Sequence, residues 1–464
     1  MENSFTLGSE FYLQSFVEVV DKIKRSETPY KTLKEVCKVI TDGDHGKTQY
    51  TNSGVLYLLS ESIKSGYIDT SVGTRFISEE YNKSLKRSEL TARDIVVTKT
   101  GIYFGHSAVI PDNIKIANTS AHVAKITLTK GINPYYFSTF INSSIGYSQL
   151  RRRGMKVSRP EIKLLEFQDI LISLPNIYFQ NLIEKIIKKS QEKRLKSELS
   201  YTEASEQLLQ QLGLSDLKLT EDNISIRTAK ESIFSLDRLD AEYYQPKYDQ
   251  IEAKLQLSDF TTLSNELLWI RTGEYSSEYR QKSESNDLTF YIRSINIKDG
   301  IVKEDESYYV PKKDFTRVAS TGDIVTARVG SVGIFGEVTE GISGSVYSDN
   351  ILCFRLPDSF IPSVYTLLFN SQFYYELIGR LARGSVQQRL NQETLKELII
   401  PIIPLDKQLL IKRKIDEKYL LLNESKNLLS VAKKAVELAI EENEKYALHY
   451  IMENTNLEIE ECQN

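Results

Sequence analysis

The stretch DIVTARVG, which begins at Asp323, decides the fold because a near copy of it, DIVVTKTG, begins at Asp94. Further segments repeat at the same separation of about 230 residues, which is far longer than a solenoid period. These segments are YLLSESIKSGYI at Tyr57 with YIRSINIKDGIV at Tyr291, and PYYFSTFINSS at Pro134 with PSVYTLLFNSQ at Pro362. Their order is the same in both halves. The sequence therefore predicts two copies of one unit in a pseudo-two-fold plan, able to bind two similar targets.

The repeat continues through a basic segment into a proline-flanked strand. Aligned by residue type, its matched parts are Arg153-Gly154 with Arg383-Gly384, Val157-Ser158-Arg159 with Gln387-Gln388-Arg389, and LISLPN at Leu171 with LIIPIIP at Leu398. This alignment places Pro160 opposite Leu390, so we expect the first copy to depart from the second at this loop. Each copy then runs into a long charged segment.

Composition is that of an ordinary globular protein, with 41% hydrophobic and 26% charged residues among 464. The net charge of −4 neither supports nor excludes nucleic-acid binding, because residues 151–163 (RRRGMKVSRPEIK) are basic and the tail beyond Glu437 is acidic. No signal peptide or membrane span is predicted, so we expect a cytoplasmic protein. Three widely spaced cysteines predict free thiols, not a disulfide framework or a zinc site.

The fold class predicted from these patterns is α+β. Short β-branched and aromatic runs separated by glycine turns predict strands from Val55 to Lys130 and from Leu288 to Leu356. Apolar residues at three- and four-residue steps predict two long helices. In the first, this stripe comprises Leu182, Ile183, Ile186, Ile187, Leu195 and Leu199. We expect the two helices to pack as an antiparallel coiled coil that separates two β-rich domains, since neither helix has a globular body of its own.

The predicted boundaries follow from these elements. They are a first β-rich domain at 1–175, a central long helix at 176–213, a linker and second β-rich domain at 214–403, a C-terminal long helix at 404–452 and an acidic tail at 453–464.

In this order and duplication the chain resembles the specificity subunits of type I restriction–modification systems. The stretch GSVQQRLNQETLKELIIPIIPLDKQ from Gly384 to Gln408 and the segment RLDAEYYQP from Arg238 to Pro246 carry the resemblance most clearly. The resemblance implies two target recognition domains and a coiled-coil spacer in a non-catalytic subunit. It also implies double-stranded DNA, two methyltransferase subunits and restriction endonuclease or translocase subunits as partners. S-adenosylmethionine is then expected on the partner subunits, and no cofactor on this chain.

Candidate DNA contacts fall into two chemical classes. Phosphate contacts supply affinity without sequence and come from cations. The candidates for these are Arg151, Arg152, Arg153, Lys156 and Arg159 in the first copy and Arg380, Arg383 and Arg389 in the second. A solvated basic helix face is the alternative interpretation. Three adjacent arginines before a glycine, matched by a second Arg-Gly, favour DNA.

Base contacts specify sequence and require loops that reach the grooves. The segments Asp42 to Gln49 and Arg271 to Arg280 occupy equivalent places and differ strongly, as two different half-sites would require, although drift gives the same pattern. The candidate residues in these loops are His45, Lys47, Arg271, Tyr275 and Arg280. Lys99 and Arg328 follow the matched strands, where a cation faces either DNA or solvent, and Gln387 is a candidate whose amide would otherwise cap a helix.

Catalytic alternatives are weaker. Asn133-Pro134-Tyr135-Tyr136 resembles the Asn-Pro-Pro-Tyr motif of adenine methyltransferases, but it lacks the second proline and its counterpart at Ile361 lacks the asparagine. We therefore expect Pro134 to open a helix. No phosphate-binding glycine loop, HxxxH or CxxC pattern is present, so no metal site is predicted. A protein-binding scaffold, a recognition subunit of another defence system and one of a type II-like modification enzyme remain open.

Overall fold

The computed structural model describes residues 13–154, 159–222, 224–234, 240–382 and 389–457. The chain divides into two compact units. Unit 1 comprises Met1–Leu195 with Leu421–Asn464, and unit 2 comprises Lys196–Leu420. Both contain short strands, short helices and parts of two long helices, so the predicted α+β class is confirmed.

The elements of the first half follow the predicted order of helix, strands and helices. Its helices are α1 (Gln14–Arg25), α2 (Leu33–Val36), α3 (Glu79–Ser84), α4 (Pro134–Asn142), α5 (Ser144–Gly154), α6 (Leu164–Phe167) and α7 (Ile177–Gln211). Its strands are β1 (Tyr30–Thr32), β2 (Cys37–Asp42), β3 (Val55–Leu58), β4 (Ile63–Lys64), β5 (Tyr67–Ile68), β6 (Thr74–Ile77), β7 (Ile95–Thr98), β8 (Ser107–Val109), β9 (Ala117–Thr119), β10 (Val123–Leu128) and β11 (Leu171–Ser173).

Unit 1 is organised around a four-stranded antiparallel sheet in the order β2-β10-β7-β8. A three-stranded sheet in the order β6-β3-β9, a β4–β5 hairpin and a β1–β11 pair accompany it. Helix α4 packs its aromatic residues into the core, where Phe137 and Phe140 are fully buried. Burying one such ring contributes about 1.5–3 kcal/mol.

The second half repeats this order. Its helices are α8 (Pro246–Leu255), α9 (Leu263–Glu266), α10 (Pro362–Phe369), α11 (Gln372–Leu381), α12 (Gln392–Lys396), α13 (Leu405–Glu441) and α14 (Glu444–Asn454). Its strands are β12 (Phe260–Thr262), β13 (Trp269–Thr272), β14 (Leu288–Ile292), β15 (Ile297–Lys298), β16 (Ile301–Val302), β17 (Tyr309–Pro311), β18 (Ile324–Ala327), β19 (Phe335–Glu337), β20 (Val346–Tyr347), β21 (Ile351–Arg355) and β22 (Ile399–Pro401).

Unit 2 has a six-stranded sheet in the order β13-β21-β18-β19-β16-β15, of which the first four strands match the main sheet of unit 1. A three-stranded sheet in the order β17-β14-β20 and a β12–β22 pair complete it. Because β18 pairs antiparallel with β19, the segment between them, which contains Gly330 and Gly333, is a hairpin connection.

The same asparagine ties helix to sheet in both units. Asn142 accepts a hydrogen bond from the backbone N–H of Ser107 (3.0 Å) and donates one to its carbonyl (2.7 Å). Asn370 makes the same pair of bonds with Phe335, both at 2.9 Å. These asparagines occupy the same place in the repeated PYYFSTFINSS and PSVYTLLFNSQ segments. The sequence repeat is therefore also a structural repeat.

The two long helices run antiparallel within each unit. In unit 1 the hydroxyl of Ser190 on α7 donates to the carbonyl of Ser425 on α13 at 2.8 Å. In unit 2, nearer the end of α7, Ser197 donates to the carbonyl of Lys418 at 2.9 Å. The predicted apolar stripe is correct at Ile183, Ile186 and Ile187, which are buried. It is wrong at Leu195 and Leu199, which are more than half exposed, because buried serines form the contact there.

The C-terminal helix differs from the single element expected at 404–452. Helix α13 ends at Glu441 and α14 begins at Glu444, because the side chain of Asn443 accepts a hydrogen bond from the backbone N–H of Tyr446 and caps a new helix. Ala447 and Ile451 of α14 are buried in the core of unit 1. In the described part of the chain, no helix is both long enough and apolar enough to cross a membrane.

Candidate DNA-recognition sites

A cleft in unit 1 lies at one edge of its four-stranded sheet. Strands β2 and β7 end at this edge and β10 begins there, since β10 pairs antiparallel with both. The segments that follow β2 and β7 and the one that precedes β10 therefore meet around a cavity of ≈ 690 Å³. Two residues predicted from the sequence, His45 and Arg159, line it, together with Tyr50, Ile102, Tyr103 and His122. The side chain of Ile102 is 90% exposed.

A buried carboxylate organises the cations beside this cleft. Asp42 ends β2 and forms ion pairs with Lys99 (2.7 Å), His45 (3.1 Å) and Arg87 (3.3 Å). Burial raises the pKa of Asp42, but the hydrogen bonds from Lys99 and His45 outweigh this effect, and the net pKa is lowered. Lys99 itself is buried, so the structure directs its ammonium group into the protein. The exposed side chains that contact Asp42 are the imidazole of His45 and the guanidinium of Arg87.

The loop after β2 has a fixed base and an exposed tip. A Cβ on Gly43 would lie 1.9 Å from the carbonyl oxygen of Thr119, so only glycine fits there. Asp44 accepts hydrogen bonds from the Tyr81 hydroxyl (2.6 Å) and the Gly46 backbone (2.9 Å). Lys47, at the tip, is exposed. The loop can therefore present His45 and Lys47 to a ligand without itself reorganising.

The surroundings of His122, across the cleft, favour its neutral form. Burial lowers the pKa of this imidazole, and the positive charges of Arg159 and Lys99 lower it further. A neutral imidazole both donates and accepts hydrogen bonds, whereas Arg159 only donates them. The cleft thus offers mixed hydrogen-bonding groups beside a fixed positive charge, a combination that suits a base edge next to a phosphate.

The three consecutive arginines at the end of α5, Arg151 to Arg153, have different surroundings. Arg151 and Arg152 lie in the last turn of α5 with partly or fully exposed side chains. Arg153 instead turns inward and donates hydrogen bonds to the carbonyls of Gln149 (3.3 Å) and Asp169 (3.0 Å). A phosphate contact by Arg153 stays a prediction, but its guanidinium already has structural partners. Lys156 lies outside the described residues.

Unit 2 places its corresponding segments in the same way. Strands β13 and β18 end, and β21 begins, at one sheet edge. Gly273 repeats the role of Gly43, because a Cβ there would lie 2.1 Å from the carbonyl oxygen of Tyr347. In the loop that follows, Tyr275 is 73% exposed and Arg280 is also exposed. Arg271 lies within β13, its guanidinium 5.1 Å from the Trp269 ring, and lines a smaller cavity of ≈ 400 Å³ with Arg317 and Gln392.

The remaining basic residues of unit 2 differ in their surroundings. Arg328 donates to the carbonyl of Asp349 at 3.3 Å, and Arg389 is exposed. Arg380 packs inside unit 2, where it pairs with Glu252 at 2.9 Å and donates to the carbonyl of Tyr243 at 3.0 Å. Its assignment as a phosphate contact stays a prediction, although the structure gives it a packing role. Arg383 and Gln387 lie outside the described residues.

The pairing of Arg159 with Arg389 inferred from residue type is wrong. Ile162 donates its backbone N–H to the carbonyl of Lys99, and Leu390 donates to that of Arg328. Both Ile162 and Leu390 are fully buried. The counterpart of Leu390 is therefore Ile162, not Pro160, and Arg159 lies two residues before the position that corresponds to Arg389. The alignment by residue type was out of register because the loop from Gly154 to Ile162 is longer than the loop from Gly384 to Leu390.

Comparison with known proteins finds a family match over part of the chain. The family described as the type I restriction modification DNA specificity domain matches residues 258–430, most of which belong to unit 2. This part of the chain, residues 258–430, is similar to a type I restriction modification DNA specificity domain. The resemblance found in the sequence is thereby confirmed. No curated protein matches the chain.

Two solved structures of similar subunits cover most of the chain. One is the S subunit of a type I restriction-modification system from M. genitalium, 11% identical over 90% of this chain and 96% of its own, with a TM-score of 0.48. The other is the HsdS subunit from Thermoanaerobacter tengcongensis, 15% identical over 89% of this chain and 97% of its own, with a TM-score of 0.30. The assignment of the specificity domain therefore rests on the family match.

Two cations beside the recognition loops escaped the sequence analysis. Arg87 of unit 1 pairs with Asp42, and Arg317 of unit 2 lines the cavity beside Arg271. Both follow segments that were read only as strands and turns. Their approach to the loops depends on tertiary contacts between residues far apart in sequence. No local signal in the specificity domain or its first-half copy could have found them.

Proposed function

We propose that this chain is the DNA sequence-specificity subunit of a restriction–modification complex. One observation carries the proposal: unit 1 repeats the framework of the specificity domain in unit 2, down to equivalent hydrogen bonds at Asn142 and Asn370. The family match thus extends by internal repetition to the first half. Each unit would bind one half of a bipartite duplex site.

The two half-sites should differ. The framework glycines Gly43 and Gly273 are equivalent, but the loops that follow them read DHGKTQ and EYSSEYR. Phosphate contacts position a protein on DNA, whereas base-edge contacts select the sequence. Units with a common framework and different loops would therefore bind an asymmetric site. The long helices, which contribute to both units, would set the spacing between its halves.

The chemistry would belong to partner subunits. In this proposal two methyltransferase subunits bind S-adenosylmethionine and flip the target adenine out of the duplex. Endonuclease or translocase subunits join the complex for cleavage. Among the described residues, no group of three or more His, Cys, Asp or Glu side chains could hold a metal ion. This chain would supply the recognition of the site, and the complex would act in the cytoplasm.

Methylome sequencing tests the proposal. Cells that carry this chain with its neighbouring methyltransferase are compared with cells that lack only this chain. We expect a split, asymmetric adenine-methylated motif that disappears with the chain. An identical methylome in both strains would reject the specificity role and favour a protein-binding scaffold. A second measurement separates the two roles. The affinity of a DNA-binding subunit for duplex DNA falls steeply as the salt concentration rises, whereas a protein-binding scaffold would show no such dependence.

A further inference from the structure

The guanidinium of Arg293 in unit 2 packs over the ring of Tyr308 and beside that of Tyr279. Its guanidinium carbon lies 3.2 Å from the centroid of the Tyr308 ring and 5.7 Å from that of Tyr279. Tyr279 in turn lies 5.2 Å from Tyr308 and 5.6 Å from Tyr291, centroid to centroid. Arg293 is the first residue after β14, and its backbone N–H donates to Asn296 at 2.9 Å. Backbone and side chain are therefore both fixed.

The polar atoms of this side chain lack partners in the described parts of the protein. The Nε atom of Arg293 is buried without a hydrogen bond, and its terminal nitrogens make none to another described residue. A guanidinium has five N–H donors, and leaving a buried donor unsatisfied costs free energy. The Nε atom of Arg328 is also buried without a hydrogen bond, but its Nη1 finds an acceptor in the carbonyl of Asp349, and Arg355 pairs with Asp323. The buried Nε is not accessible to a ligand, so the terminal nitrogens are the donors of Arg293 that a ligand could meet.

Arg293 also touches the recognition loop of unit 2. Tyr279, which stacks near its guanidinium, belongs to the segment Arg271 to Arg280 and is 41% exposed. The Tyr279 hydroxyl donates to the carbonyl of Ser276 in the same loop, at 2.9 Å. The loop and the arginine are thus parts of one surface. A ligand bound by this loop would reach the guanidinium.

The counterpart of Arg293 in unit 1 indicates which acceptor it meets. Both residues follow the matched strands β3 and β14 and precede a 3₁₀ turn, Ser60–Ser62 or Ser294–Asn296, and the residue of unit 1 is Leu59. Leu59 lines the DNA-recognition cleft of unit 1. If this position contacted a phosphate, a cation would be expected in both units, because every DNA sequence has phosphates. A base contact is expected to differ between units that bind different half-sites.

We propose that Arg293 determines specificity by donating two hydrogen bonds to N7 and O6 of one guanine in the half-site bound by unit 2. The proposal rests on the proposed function of the chain and adds the identity of one base and of the residue that reads it. A planar guanidinium held by aromatic stacking matches the paired acceptors of guanine in the major groove. The rings fix the plane of the donors before DNA binds, so little side-chain entropy is lost on binding.

The test is methylome sequencing of the complete complex with R293M, R293K and the control R413M. Methionine keeps an apolar stem against the tyrosines, and lysine keeps the charge but loses the planar pair of donors. Arg413 is an exposed residue of α13. We expect both Arg293 variants to methylate sites in which one guanine of one half-site is replaced, with discrimination at that position falling roughly 10- to 100-fold. R413M should leave the motif unchanged.

Other outcomes would overturn the proposal. A motif unchanged in both Arg293 variants would show that Arg293 reads no base. An even decrease at all sites, with the motif intact, would assign the residue to phosphate contact or packing. Full discrimination by R293K would exclude the paired hydrogen bonds, and this variant decides the matter if R293M fails to fold. If wild-type cells show no methylated motif that depends on this chain, the proposed function is rejected, and the assignment of Arg293 is rejected with it.

Discussion

Gln180 and Gln408 make equivalent hydrogen bonds in the two units, each from the first turns of a long helix. The Oε1 atom of Gln180 accepts from the backbone N–H of Asn133 at 2.9 Å, and its Nε2 donates to the carbonyl of Pro175 at 2.8 Å. Gln408 accepts from the N–H of Ile361 at 2.7 Å and donates to the carbonyl of Ile403 at 2.6 Å. Both side chains are almost fully buried. Each glutamine thus joins a long helix to the start of the aromatic helix of its unit.

Replacement of Gln408 by leucine should destabilise unit 2. The variant leaves the buried N–H of Ile361 and the carbonyl of Ile403 without partners, and we expect a loss of about 2–4 kcal/mol in the free energy of unfolding. Urea unfolding of the full chain, followed by circular dichroism, measures this change. The control Q211L alters an exposed glutamine of α7 and should change stability by less than about 0.5 kcal/mol. Equal unfolding midpoints for Q408L and Q211L would contradict the role of Gln408.

Gly273 should tolerate no side chain. A Cβ at this position would lie 2.1 Å from the carbonyl oxygen of Tyr347 and 2.2 Å from that of Ser348, so G273A must displace the backbone at the base of the recognition loop. We expect a loss of about 1–3 kcal/mol in stability. The control is G341A in the same unit, since a Cβ on Gly341 meets nothing within 4 Å. Thermal unfolding of both variants measures this difference in stability. Equal melting temperatures for G273A and G341A would contradict the steric argument for Gly273.

Glu337 should make unit 2 sensitive to pH. Burial raises the pKa of this carboxyl to about 7, while the charges of Lys412 and Asp416 have smaller and opposite effects. Because the folded pKa exceeds the unfolded value of 4.5, the folded state favours the protonated form. The resulting stabilisation is complete below pH 4.5 and is lost as the pH rises through 7.

The variant E337Q isolates this effect. Between pH 5 and 8 the wild type should lose about 1–2 kcal/mol relative to E337Q, a range that allows for partial solvation of the carboxyl. Urea midpoints measured at several pH values give the comparison. Parallel pH profiles for the two proteins would show that Glu337 does not titrate in this range.

The duplication was readable from the sequence because its framework depends on local chemistry. Asn133 was expected to precede a helix, and its side chain does accept hydrogen bonds from the N–H groups of Tyr135 and Tyr136. Asn142 and Asn370, whose side chains hydrogen-bond to the backbone of a strand residue, occupy the same place in the two matched segments. Predictions that depend on contacts between residues close in the sequence therefore agree with the structure.

Contacts between distant segments were not readable. Lys99 follows a strand and was expected to face DNA or solvent, but its buried ammonium pairs with Asp42, 57 positions away. Arg293 lies inside a segment that the repeat marks as framework, where it replaces Leu59, but its stacking on Tyr279 and Tyr308 is visible only in the structure. The surroundings of a cation, more than its place in a pattern, decide whether it can meet a ligand.

Among the phosphate contacts predicted for unit 1, Arg159 is the one that the structure best allows us to test. It is exposed and lines the cleft, and its Nη2 would lie 3.1 Å from a Cβ added to Gly101. Arg153 is unsuitable, because its removal would leave the carbonyls of Gln149 and Asp169 without their donor. We expect R159M to weaken binding of the complex to all duplexes about equally. The slope of log affinity against log salt concentration should fall by about one, since one fewer counterion is released.

Titrations of cognate and unrelated duplexes at several salt concentrations measure this slope, with R413M as the matched control on α13. An R159M slope equal to that of R413M would remove Arg159 from the phosphate contacts. Weaker binding confined to the cognate duplex, with the slope retained, would instead make Arg159 a base-reading residue of the first half-site. The two outcomes differ because counterion release depends on the phosphate charge and not on the base sequence.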